Sequence, residues 1–147
     1  MIGARSPALD CVHAMGFLTR KDPIAILTNH LSSPRHEKDT RSMMELAGLL
    51  AKKGDTAGAI DWYLRAAKEF LADGFHPKAS AAAKQALQLS PKNIEANEFL
   101  CELYEKMKLK EDQRGVLKKL VDLYFENRDT EKVASTRKRL EALGPGR

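Results

Sequence analysis

Four histidines, two cysteines and a row of glutamates are the side chains whose types could do chemistry here. His13, His30, His36 and His76 include no pair at helical spacing, and no HExxH is present. Cys11-Val-His13 could supply two metal ligands, which is too few for a structural zinc site. Cys101 could act as a nucleophile, but it holds the repeat position of Ala47 and reads first as a buried small hydrophobe. Glu98, Glu102 and Glu105 share a helix face, but a helix this rich in charge brings carboxylates together without any acid–base role. Neither GxxxxGK[ST] nor GxGxxG occurs, so no glycine loop is set to cradle a phosphate. No nucleophile, base and orienting group combine into a catalytic set. The expectation is a protein without catalytic residues, metal or cofactor.

What remains is surface chemistry. Lys118-Lys119 and Arg137-Lys138-Arg139 are the densest basic clusters. They read first as solvated helix faces and second as a phosphate-binding patch. Aromatic residues are not interleaved with them as a single-strand binder requires. Trp62, the sole tryptophan, is either a core or partly covered residue or, if exposed, an anchor for a partner.

The elements that must position these residues are helices. The 147 residues suffice for one domain with a sizeable core, and 43% apolar against 31% charged residues describe neither a membrane-embedded nor a disordered chain. Ala, Leu, Lys, Glu and Arg dominate from Thr40 onward, all strong helix formers. No stretch alternates apolar and polar residues long enough for a strand. The net charge of +5 is spread along the chain, whereas a nucleic-acid surface concentrates its charge. Two distant cysteines make no disulfide framework, which points to a reduced, cytoplasmic setting. Asp10 and His13 interrupt the apolar stretch from Ala8 to Leu18, which reads as neither signal peptide nor membrane span.

Shifted by 54 residues, the chain aligns with itself without a gap, 43–91 over 97–145. Leu46 falls on Leu100, Ala47 on Cys101, Phe70 on Tyr124, Leu71 on Phe125 and Pro91 on Pro145. Capping signals divide each copy into three helices, near 41–53, 56–73, 77–89, 93–107, 110–126 and 130–142. Ser42-Met-Met-Glu45 fits a capping box. Gly54-Asp55-Thr56 ends one helix and begins the next. Gly74 precedes His76-Pro77, with Pro77 expected at the first helical position. Residues 1–40 do not repeat; after Asp22-Pro23, Ile24, Ile26, Leu27 and Leu31 form the apolar stripe of a short capping helix. The polar stretch Leu31–Arg41 reads as a linker, and 41–145 is the repeat domain.

Leu46-Ala47 and Leu50, Gly54 in the turn, then Ala59, Tyr63 and Ala66 carry a resemblance to the tetratricopeptide repeat, a helix–turn–helix unit of about 34 residues. The resemblance extends over 41–145, weaker in the second half, where Gln113 and Arg137 stand in place of small or aromatic residues. It implies an α–α superhelix of antiparallel hairpins, about six helices after the N-terminal cap, with Ala47, Ala59, Ala79 and Ala86 in the seams. It also implies a scaffold or adaptor that binds a peptide or partner helix on its concave wall. The wall positions are Arg41, Met44, Lys52, Leu64 and Lys68, facing an acidic ridge of Glu98, Glu102 and Glu105 that Glu95 extends. A nucleic-acid-associated repeat using Lys118, Lys119, Arg137, Lys138 and Arg139 is the weaker reading. A self-associating structural subunit is a third.

Overall fold

The computed structural model describes residues 22–146, which form seven helices and no strand. They are α1 (Pro23–Leu31), α2 (Thr40–Lys53), α3 (Thr56–Ala72), α4 (His76–Leu89), α5 (Ile94–Lys106), α6 (Lys110–Glu126) and α7 (Thr130–Ala142). The described residues are all-α, in keeping with the helix-forming composition from Thr40 onward. Cys11, His13 and the stretch from Ala8 to Leu18 lie outside the described residues.

Short polar side chains start most of these helices. Asp22, Asp39, Asp55, Asn93 and Asp129 each accept a hydrogen bond from a first-turn amide, satisfying donors that have no partner within the helix. α4 and α6 begin at Phe75 and Leu109 without such a cap. Two expectations need correction. No capping box forms at Ser42: α2 starts earlier, at Thr40, and Asp39 takes the cap. The reason is the stronger acceptor, since Asp39 receives both the Ser42 hydroxyl at 2.7 Å and the Ser42 amide at 3.3 Å. Pro77 occupies the second helical position rather than the first, because His76 begins α4; its missing N–H costs nothing there either.

Helix ends carry the 54-residue offset into the backbone. After α2, Gly54 has φ 90°, its amide donates to Ala51 and the Asp55 amide reaches back to Leu50. This double closure is the Schellman motif, which needs a left-handed residue. Fifty-four residues later Lys108 has φ 58°, with amides of Lys108 and Leu109 donating to Glu105 and Tyr104. Gly74 and Arg128, again 54 apart, close α3 and α6 in the same way, with φ 79° and 59°. The second copy thus keeps the turn while losing the glycine. The ammonium groups of Lys78 and Lys132 repeat the pattern, lying 5.8 and 5.2 Å from the ring centres of Phe70 and Tyr124.

Each helix packs chiefly on its neighbours in sequence. Ala47, Ala59, Ala79 and Ala86 are completely buried, and such small side chains let helix axes approach closely. Around them lie three apolar clusters. The first joins Leu31 of α1 to Leu46, Leu50, Tyr63 and Leu64. The second sets Ala67, Ala79 and Ala83 against Phe99, Leu100 and Leu103 of α5. The third gathers Cys101, Leu117, Leu120, Tyr124 and Val133. Ile26 leaves the expected stripe: it is 51% exposed, while Ile24, Leu27 and Leu31 face the core. In the second copy, Gln113 and Arg114 are buried where the first has Ala59 and Ile60. The α4–α5 joint between the copies is thinner than any joint within either one.

Candidate functional site

Asp61, Leu64, Arg65 and Lys68 stand at i, i+3, i+4 and i+7 and therefore share one side of α3. A groove of about 320 Å³ lies along them, closed on one side by Glu95 at the start of α5. A second groove, of about 400 Å³, runs past Arg65 and Lys68 towards Met43 and the Glu37-Lys38 stretch before α2. Lys68 Nζ donates to Glu95 at 2.8 Å. Both side chains are more than half exposed, so the pair is solvent-screened and exchangeable. The Arg65 guanidinium lies 4.6 Å from the Trp62 ring centre, and Trp62 is half-buried against the first cluster.

The expected wall residues have different fates. Lys68 sits in both grooves. Leu64 is 3% exposed and belongs to the first cluster; it floors the groove and offers a partner almost no surface. Its neighbours explain this, since Tyr63 and Ala66 direct the same turn of α3 inward. Met44 is half-buried between the first two clusters, and Arg41 and Lys52 are exposed on α2. On the acidic ridge, Glu98 accepts the Tyr124 hydroxyl of α6, and Glu105 pairs with Arg139 of α7 at 3.1 Å. Together with Glu95, these carboxylates join α5 to three other helices. Glu102 is exposed.

Burial, then the bond to Glu98 and its negative charge, push the Tyr124 phenol upward and keep it protonated. Burial likewise pushes the Cys101 thiol up, against the opposing effect of Arg139, whose guanidinium lies 3.7 Å from Sγ. Cys101 is a buried free thiol rather than an activated nucleophile.

The basic residues of α7 do not share one face. Arg139 turns towards Glu105 and Cys101 on α5, whereas Arg137 lines a different groove. Residues two apart point roughly 200° apart around a helix of 3.6 residues per turn. Lys138 on α7 and Lys118 and Lys119 on α6 are exposed. Among the described residues, no three His, Cys, Asp or Glu side chains are grouped to hold a metal, and no helix is long and apolar enough to cross a membrane.

The groove that contains Arg137 is larger than the two along α3, about 690 Å³, and lies between the end of α6 and the start of α7. Phe125, Arg128, Val133, Ala134 and Arg137 line it, and Phe125 is 72% exposed. The sequence reading missed it by pairing Phe125 with Leu71 as two equivalent apolar positions. The available signal was the growth in size from Leu71 to Phe125 beside the change from Ala83 to Arg137. Set against family models and curated proteins, the chain matches none.

Proposed function

We propose that the protein is a helical-repeat scaffold of the tetratricopeptide kind, holding a peptide or helix of another protein along the exposed ridge of α3. The carrying observation is the pair of adjoining grooves that share Arg65 and Lys68. A row of helices, each braced by its neighbours in sequence, supports this reading because such arrays present long surfaces without needing a catalytic centre. The divergence of Arg137 and Arg139 on α7 favours a protein partner over a nucleic acid, which calls for clustered charge. A cytoplasmic setting belongs to the same proposal and draws on the free Cys101 thiol.

Affinity capture from native lysate with the wild-type chain and with Arg65→Glu/Lys68→Glu tests it. Reversing two charges on the ridge should lower recovery of the specific partner at least tenfold, about 1.4 kcal/mol or more, with helicity unchanged. Equal recovery by both proteins would reject the α3 ridge as the binding surface.

A further inference from the structure

The groove between α6 and α7 has a counterpart inside the molecule. At the 54-residue offset, Phe125, Val133 and Arg137 correspond to Leu71, Ala79 and Ala83. In the first copy those three residues pack with Phe99, Leu100 and Leu103 of α5. Ala79 and Ala83 are fully buried there, and Leu71 is half-buried. In the second copy no described helix covers the face, so Phe125 stands 72% exposed. The equivalent surface carries a helix in the first copy and, among the described residues, none in the second, where Val133 still packs into the third cluster.

The bare version differs in charge as well as size. Arg128 replaces Gly74 and Arg137 replaces Ala83, and both line the groove. Its two carboxylates are engaged elsewhere: Glu126 with Lys92 at 2.8 Å, and Asp129 as the cap of α7 and the partner of Lys132. The two guanidiniums have no carboxylate within salt-bridge distance among the described residues. We infer that this face binds an amphipathic helix of another protein, in the pose α5 adopts on the first copy. Its apolar ridge of aromatic and leucine side chains would cover Phe125 and the exposed Ala134, and acidic residues beside the ridge would meet Arg128 and Arg137. α5 of a second copy is not free to serve as the occupant, since its Phe99, Leu100 and Leu103 are buried in the second cluster.

α5 itself supplies a probe. Its sequence, IEANEFLCELYEK, holds four glutamates and the ridge that covers the first copy. A side-chain-bridged, fluorescently labelled peptide of this sequence, with serine for cysteine, would be titrated against the full chain by anisotropy. Saturable binding is expected. Phe125→Glu should weaken it at least tenfold, and Arg137→Glu at least threefold. The Arg137→Glu effect should shrink when the glutamates of the peptide are changed to glutamine. Lys68→Glu should leave binding unchanged, which separates this face from the α3 ridge, so either site can fail without the other. No binding, equal binding by Phe125→Glu, or a concentration-dependent dimer abolished by Phe125→Glu would overturn the inference.

Discussion

Asp39 concentrates several interactions in one half-buried carboxylate. It caps α2, accepts the Ser42 hydroxyl, and meets His30 Nε2 at 3.2 Å. The Ser42 hydroxyl bond is the main cause holding its carboxyl below the usual 3.8; a partial desolvation acts the other way, and the Ser42 amide and His30 add to the lowering. A carboxyl whose folded value is depressed stabilises the fold above its unfolded value and loses that contribution as pH falls through the folded one. Asp39→Ala should therefore cost about 0.5–2 kcal/mol near neutral pH. The gap from wild type should narrow below about pH 4. Urea unfolding of both proteins from pH 7 to pH 2.5 checks this, and a gap constant over that range would contradict it.

The 54-residue offset is clearest at the helix ends. Lys108 and Arg128 keep the left-handed turns that Gly54 and Gly74 make in the first copy. An L-residue in that conformation costs roughly 1–2 kcal/mol, which glycine avoids. Lys108→Gly should thus stabilise the chain by up to about 1 kcal/mol, after the greater freedom of glycine in the unfolded state is deducted. Gly54→Ala should destabilise by a similar amount. A Cβ at Gly54 meets nothing within 4 Å, so that effect comes from backbone conformation alone. Thermal melts of the two variants should move in opposite directions. These turns also show how much was legible beforehand. Glycine and aspartate announced the bend at 54–55. Lys108 announced nothing by its type, and only its place in the repeat revealed the turn.

Across the whole molecule, the alanine seams and the order of helices could be read from small residues at fixed spacing. The fates of the charged residues could not. Glu98, Glu105 and Arg139 read as open surface, yet each has a partner on another helix. Such pairings depend on how helices are placed around one another, which a pattern along one helix does not specify. Leu64 is the converse case, an expected wall residue drawn into the core. Because three apolar clusters follow one another along the chain, damage should spread only to neighbours. Leu117→Ala, in the third cluster, should cost about 2–5 kcal/mol locally. It should speed amide exchange in α6 and α7 more than in α2 and α3. Uniform acceleration over all helices would show a single cooperative core instead.

The slender α4–α5 joint has a mechanical consequence. Pulled apart by tethers on α2 and α7, the molecule should yield first between Leu89 and Ile94, opening as a hinge while the three-helix blocks on either side stay intact. The Lys68–Glu95 pair spans that joint in the open, where it could act as a latch whose grip loosens with added salt. The reach of the protein would then vary with load and ionic strength while every helix stays wound.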